Sequence, residues 1–276
     1  MNNCTVAICQ MAVTDNKESN LETAAGMIST AANAGAKLIV LPEMFNCPYE
    51  GSKFSIYAEE EATGKTVTKL ISLAKQHQVY IVGGSIPERH GDKIYNTSYI
   101  FNSAGQIIGK HRKIHLFDVD LPGGLKFYES DNLAAGQDIT VVESPWGKIG
   151  VAICYDVRFP ELIRLMVEQG ANIIIIPAAF NMTTGPAHWD ALLKVRAIDN
   201  QAFIIGASPA RDISASYVAY GHSQLVDPWG DIICRGSEKE DVIYGHIDFS
   251  KLTDVRAQLP LLQHRRQDVY KLITEK

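Results

Sequence analysis

The sequence predicts an α/β protein arranged as a four-layer αββα sandwich with a pseudo-two-fold internal duplication. Three observations carry this expectation. Apolar runs of strand length alternate with stretches of helical period. Short segments of the first half recur in order in the second half. No G-x-G-x-x-G or G-x-x-x-x-G-K-S/T stretch supports the alternative, an open doubly wound sheet that binds a nucleotide.

Taken in order, the chain reads as strand over 5–12, helix over 19–34, strand over 37–41, helix over 66–77 and strand over 79–84. The first helix has Ser19 and Glu22 at capping-box spacing, an apolar stripe through Leu21, Ala25 and Ile28, and Gly35 at its expected end. Val6-Ala7-Ile8-Cys9 returns as Val151-Ala152-Ile153-Cys154, and the run from Gly35 to Pro42 returns from Gly170 to Pro177. Tyr80-Ile81-Val82-Gly83-Gly84-Ser85 is echoed by Phe203-Ile204-Ile205-Gly206-Ala207-Ser208, and turns near Ser103-Ala104-Gly105 and Asp227-Pro228-Trp229-Gly230 close the two halves. Two such halves bury one sheet face against the other and cover the outer faces with helices. The Gly83-Gly84 and Gly123-Gly124 pairs read as turn or close-packing glycines, and the charged segment after about residue 250 as a solvated or partner-contacting tail. A single domain over 1–276 is expected.

With 26 Lys and Arg against 31 Asp and Glu, the net charge is -5, and no dense basic stretch offers a stripe for phosphates. Nucleic acid and anionic membranes are therefore poor partners. The first thirty residues lack a secretory pattern, and no later run stays apolar long enough to cross a bilayer, so a cytoplasmic location is expected. The five cysteines are odd in number and form no C-x-x-C pair, which argues for reduced thiols and against a zinc site. His111 and His115 lack a nearby third ligand, and the N-x-S/T matches at Asn3, Asn96 and Asn181 read as ordinary polar positions.

Two chemically capable residues fall at strand ends. Glu43 follows a buried-strand pattern closed by Pro42, which cannot continue a central ladder. Cys154 closes the apolar run 149–153 just before a helical stretch from about Phe159, a strand-to-helix turn that leaves backbone N–H groups free to meet an anion. Each residue alone has a plainer reading: Cys154 as a small core residue, Glu43 as a cap, Lys113 as a charge on a solvated strand or loop.

Leu41-Pro42-Glu43, the run His111-Arg112-Lys113-Ile114-His115-Leu116, and Ile153-Cys154-Tyr155-Asp156-Val157-Arg158-Phe159-Pro160-Glu161 together resemble the three catalytic motifs of the nitrilase superfamily of carbon-nitrogen hydrolases, in that family's order. Asn46-Cys47-Pro48-Tyr49, Phe117-Asp118-Val119-Asp120, the segment from Ala179 to Trp189 and Ser208-Pro209-Ala210-Arg211-Asp212 are similar to segments of the superfamily's omega-amidase group. The resemblance implies Cys154 as nucleophile and Glu43 as general base. It further implies Lys113 with the Tyr155 backbone N–H as oxyanion donors, and Glu129 as a second glutamate orienting Lys113 or substrate. The implied substrates are monoamides of α-keto dicarboxylic acids, with Tyr49, Tyr155, Phe180 and Arg196 at the substrate, no cofactor or metal, and a homodimer. A distal carboxylate on the substrate calls for cationic or N–H donors; Tyr49, Lys194, Arg196 and Arg211 are unranked candidates. Nitrile or N-carbamoyl hydrolysis on the same three residues is the alternative chemistry.

Overall fold

The computed structural model describes residues 3–120 and 126–274. Gly123-Gly124 lies outside the described residues.

The first half contributes β1 (Cys4–Gln10), α1 (Lys17–Asn33), β2 (Leu38–Val40), α2 (Gly51–Tyr57), α3 (Lys65–His77), β3 (Tyr80–Val82), β4 (Ile86–His90), β5 (Lys93–Phe101) and β6 (Ile107–Arg112). A small ribbon, β7 (Asp118–Asp120) with β8 (Lys126–Tyr128), precedes the second half. That half runs β9 (Thr140–Ser144), β10 (Gly147–Val151), α4 (Pro160–Glu168), β11 (Ala171–Pro177), α5 (Thr184–Asn200), β12 (Phe203–Ala207), β13 (Gln224–Val226), β14 (Ile232–Arg235), β15 (Asp241–Ile247) and α6 (Phe249–Gln258).

One sheet has the order β15-β1-β2-β3-β5-β4, with β6 also on β5; the other is β14-β13-β12-β11-β10-β9. At the centre of each, three strands run parallel, β1-β2-β3 and β10-β11-β12, flanked by antiparallel neighbours. The duplication seen in the sequence is thus a duplication of sheet topology. The period of two along each strand builds the layers. Val6 and Ile8 join Ile173 and Ile175 in the core between the sheets. Ala7 and Cys9 face outward onto α1 and α3, through Leu21, Ile28 and Leu70. Ile174 and Ile176 face outward onto α4 and α5, through Met166, Trp189 and Leu193. Among the described residues, no helix is long and apolar enough to cross a membrane.

Three sequence expectations are corrected. The cap of α1 is Asn16, whose side chain accepts from the Ser19 N–H at 3.0 Å, rather than Ser19 itself. The Asn side chain, immediately before the first helical residue Lys17, competes as well as Ser for that role. The segment after 250 is not a featureless tail at its start: α6 buries Phe249, Leu252 and Val255 at i, i+3, i+6 spacing, and Arg256 reaches the Gln201 carbonyl and the Asn172 side chain. The Arg and Lys residues among these apolar positions masked a short stripe. Asn96 and Asn181 are buried working positions rather than ordinary polar ones: Asn181 accepts from the Thr183 and Thr184 N–H groups at the start of α5, and Asn96 belongs to the site below.

Candidate active site

Glu43 sits three residues past the end of β2, in a turn clasped by the turn after β3. The Leu41 N–H donates to the Val82 carbonyl, the Ser85 N–H to the Pro42 carbonyl, and the Met44 N–H to Ser85 Oγ. Gly84 makes this clasp possible. Its φ is 52° and a Cβ there would lie 2.0 Å from the Pro42 oxygen, so any side chain would push the Glu43 turn away.

Lys113 follows β6 directly. Its N–H donates to the Asn96 carbonyl, and its own carbonyl accepts from Gly136. Far from being a solvated charge, Lys113 is fully buried between two buried carboxylates. Its Nζ lies 2.9 Å from Glu43 Oε1 and 2.8 Å from Glu129 Oε2. Glu129 is fixed in turn by the Tyr49 hydroxyl at 2.7 Å and the Phe117 N–H at 2.7 Å. Asn96 Nδ2 donates to Glu43 Oε1 at 2.8 Å. The second Glu43 oxygen, Oε2, has no fixed donor, and the Cys154 thiol is the neighbour that interacts with this carboxylate.

Cys154 begins a 3-10 turn, Cys154–Arg158, three residues beyond β10, with φ 47°. Such a left-handed residue outside glycine is costly and is held only where the surroundings fix it. Asp156 supplies the fixing. Wholly buried, it accepts from the Ile153 N–H at 3.0 Å, the His115 N–H at 2.8 Å, His115 Nδ1 at 2.7 Å and His111 Nε2 at 3.1 Å. The cysteine turn and the lysine segment are thereby tied to one carboxylate. Burial opposes the charged form of Asp156, but the two histidines and the Ile153 N–H outweigh it and hold its carboxyl well below the usual range. His111 and His115 each give a ring N–H to Asp156.

The electrostatics follow from burial and from charge count. For Glu43, desolvation is the largest influence and raises the pKa; Lys113 opposes it, Glu129 reinforces it, and the net shift is upward. Burial pulls Lys113 down, but Glu129 and Glu43 together hold it well above the ordinary lysine value, so it stays an ammonium. Burial first, then the Glu43 charge, push the Cys154 thiol up, against Lys113 and the Ala179 N–H on the sulfur. The resting cysteine is therefore a thiol beside a carboxylate whose proton affinity has been raised. Such a pair is suited to transferring the proton as sulfur attacks, rather than to storing a thiolate.

A narrow cavity opens onto Cys154, lined by Phe117, Tyr155, Arg158, Phe180, Thr184 and Tyr217 among others. Arg158 is the only cation among its described lining residues. The guanidinium lies over the Phe180 and Tyr155 rings, 5.0 and 5.7 Å from their centroids, touches His188 at 3.3 Å, and makes no ion pair with a carboxylate among the described residues.

Of the residues singled out in the sequence, Glu43, Lys113, Glu129 and Tyr49 form one hydrogen-bonded group next to Cys154, and Tyr155 and Phe180 line the thiol's cavity. Arg196 is not brought there. It is buried behind the cysteine turn, donating from Nε to the Val157 carbonyl at 2.8 Å and from Nη2 to the Arg158 carbonyl at 3.1 Å, so its helical position turned it into a brace for that turn. Arg211 donates to the Tyr220 carbonyl, and Lys194 lines neither cavity next to the site. Tyr49 has its hydroxyl committed to Glu129. The sequence reading passed over Arg158, although its place four residues after Cys154, one turn on, was a usable signal. Asn96, Asp156 and Tyr217 carry no local signal.

A cysteine turn past one strand end and a buried Glu-Lys-Glu group past another, on a duplicated αββα sandwich, are the frame of a carbon-nitrogen hydrolase. The chain belongs to the carbon-nitrogen hydrolase family, whose pattern matches residues 5–257, and it is a hydrolase acting on amide carbon-nitrogen bonds. It is 47% identical over 265 residues to omega-amidase NIT2 of Danio rerio, covering 96% of this chain and 95% of that one. It is 43% identical over 265 residues to omega-amidase NIT2 of Homo sapiens, covering 96% of each. Among solved structures, Saccharomyces cerevisiae Nit3, described as a member of branch 10 of the nitrilase superfamily, superposes with a TM-score of 0.88 at 42% identity, covering 96% of this chain and 97% of that one.

Proposed function

We propose that this protein is an omega-amidase that hydrolyses monoamides of α-keto dicarboxylic acids, such as α-ketoglutaramate and α-ketosuccinamate, through a thioester on Cys154. The observation that carries the substrate class is Arg158, an ion-pair-free cation in the cavity that opens onto the thiol. A guanidinium without a carboxylate partner in a small aromatic-lined cavity supplies the charge complement for a distal carboxylate. The omega-amidase relatives support the same reading.

In this mechanism the amide carbon lies over Cys154 and the distal carboxylate on Arg158. Glu43 takes the thiol proton as sulfur bonds to the carbonyl carbon, and the oxygen's developing charge meets the Lys113 ammonium and the Tyr155 N–H at the start of the 3-10 turn. Glu43 then gives the proton to nitrogen, the carbon-nitrogen bond breaks, and ammonia leaves the acyl-enzyme. A water activated by Glu43 attacks the thioester, and Cys154 departs with the proton returned. Glu129 and Tyr49 hold Lys113 in place throughout. No step calls on a cofactor. Five cysteines without a disulfide support a reducing compartment, the cytoplasm. Exposed Val195 and Ile198 on α5 support a homodimer through that outer helical layer.

The test is kcat/KM for α-ketoglutaramate, a neutral amide of similar size, an aliphatic nitrile and an N-carbamoyl amino acid, in wild type and in Arg158→Met, with mass spectrometry of Cys154 during turnover. The keto-acid amide should lead in the wild type, and Arg158→Met should lose that lead mainly through KM, by roughly ten- to a hundredfold, the worth of about 1.5–3 kcal/mol for a hydrogen bond to a charged group. A nitrile or carbamoyl compound in the lead would replace the omega-amidase reading with its alternative.

A further inference from the structure

The centre has a second cavity that the mechanism above leaves unused. Glu43, Met44, Glu50, Asp212 and Tyr217 are among its walls. Tyr217 and Ala179 also wall the Arg158 cavity, so the two spaces adjoin at this pair. Tyr217 is pinned there by its hydroxyl, which donates to the Ala179 carbonyl at 2.6 Å, and Ser216 beside it donates to Glu50 Oε1 at 2.5 Å.

The two cavities differ in charge. The thiol's cavity has Arg158 and no acid; the second has Glu43, Glu50 and Asp212 and no base. Lys113 pairs with Glu43 but is shared with Glu129, so that buried group keeps a surplus negative charge. Lys53 acts on Glu50 only at a distance, its ion pair being with Asp15, and Arg211 turns to the Tyr220 carbonyl and His222. Asp212 is exposed and held below its ordinary pKa by the Ser214 hydroxyl and N–H, so it is charged at neutral pH. Glu43 is 1% exposed, forms part of this cavity's wall, and its Oε2 has no fixed donor.

We infer that the cavity walled by Glu43, Glu50 and Asp212 is a cation-favouring passage through which ammonia leaves and the hydrolytic water arrives, separate from the Arg158 cavity that retains the acyl group. The inference deepens the amidase reading and rests on it. After the carbon-nitrogen bond breaks, the nitrogen has just received its proton from Glu43 and so lies against a residue that walls the second cavity. The α-keto acyl group is covalently on Cys154 and anchored through its carboxylate on Arg158. Ammonia, which becomes ammonium on reaching neutral water, is drawn toward carboxylates; the anionic keto acid is repelled by them. The same vacated position beside Glu43 must then receive water, and the route that released ammonia delivers it.

Two measurements test this. In the first, hydrolysis of α-ketoglutaramate, or of whichever linear amide is turned over fastest, is followed in methylammonium chloride against sodium chloride at equal ionic strength. Methylammonium should lower kcat with little change in KM, because it occupies the passage and not the substrate's cavity. The double variant Glu50→Gln/Asp212→Asn should raise its inhibition constant roughly two- to twentyfold, as loss of two partly exposed charge contacts implies. Competition of methylammonium with the amide, or an inhibition constant unmoved in the double variant, overturns the inference. In the second, crystals of the wild-type protein are soaked in rubidium chloride, with no turnover needed. Anomalous density inside the cavity beside Glu43, Glu50 or Asp212 is expected; rubidium bound only elsewhere overturns it. A protein that binds rubidium there yet prefers another amide to α-ketoglutaramate would refute the substrate assignment and leave the passage standing.

Discussion

At the scale of single residues, the centre is a charge problem solved by burial. One ammonium, Lys113, is shared by two carboxylates, Glu43 and Glu129, and burial first, with the surplus negative charge second, keeps the thiol protonated and raises the proton affinity of Glu43. Removing the ammonium leaves two buried carboxylates in contact and deprives the oxyanion of a donor. Lys113→Met should therefore lower kcat by at least roughly a hundred- to a thousandfold, measured on purified protein whose fold is checked by circular dichroism. A variant within a few-fold of wild type would return Lys113 to a structural role. The raised Glu43 pKa sets the acid side of the pH profile. The base works only when ionised, so activity is lost as pH falls through the Glu43 value, and that value lies above the ordinary carboxylate figure of about 4.3. A kcat/KM profile whose acid limb sits at the ordinary figure would show that Glu43 is not the titrating base.

At the scale of elements, turns rather than strands place the chemistry, and strand edges hold the turns. The β4-β5-β6 edge that leads into Lys113 is tied by buried Glu88, which accepts from Arg112 Nε and Nη2 at 2.7 Å each, Thr97 Oγ1 at 2.7 Å and Lys110 Nζ at 3.1 Å. Burial favours the neutral acid, but these donors outweigh it and hold the carboxyl down at about 2 from an ordinary 4.5. A depressed folded pKa means the ionised form stabilises the fold above the unfolded value, and this contribution disappears as pH falls from about 4.5 toward about 2. Glu88→Gln should accordingly be less stable than wild type at pH 7, and the gap in urea midpoint should narrow as the buffer is taken down through that window. A gap independent of pH would mean that packing, not charge, is what Glu88 contributes. The α6 segment carries the complementary lesson: a ten-residue helix with only three buried apolar side chains forms because the sheet already offers Phe203 and its neighbours as a surface.

For the whole molecule, the two sheets meet through Val6, Ile8, Val40, Ile149, Ile173, Ile175 and Phe203, all 0–1% exposed, so the halves cannot part without opening the largest core. Ile175→Ala should cost about 2–5 kcal/mol and shift the denaturant midpoint with the m-value unchanged, in one transition seen alike by fluorescence and circular dichroism. Two separated transitions would divide the chain into two folding units and refute the single domain expected over 1–276. The duplication also bears on why there is one centre. Cys9 and Cys154 match in sequence, yet Cys9 lies inside β1, opposite Val242 of β15, with its thiol pushed up to about 12 by burial. Cys154 lies past the end of its shorter strand, where a turn can form.

The sequence by itself determined the αββα layering, because the period of two along apolar strands and the order-preserving repeat admit few other burials. It also determined that Glu43 and Cys154 stand just past strand ends, since proline, strand length and helix onset are local signals, whereas Lys113 read as a solvated charge. Only the tertiary structure decided which charges share a space. Arg158 lines the cavity that opens onto the thiol, whereas Arg196, the candidate its helical pattern offered, braces carbonyls behind it. Glu129 and Asn96 meet Glu43 and Lys113 only after loops remote in sequence fold together, and Asp156 joins two motifs about forty residues apart. Local periodicity fixes which face of an element is buried; the partner on the far side of a buried charge is set by packing between segments, and no short stretch of sequence encodes it.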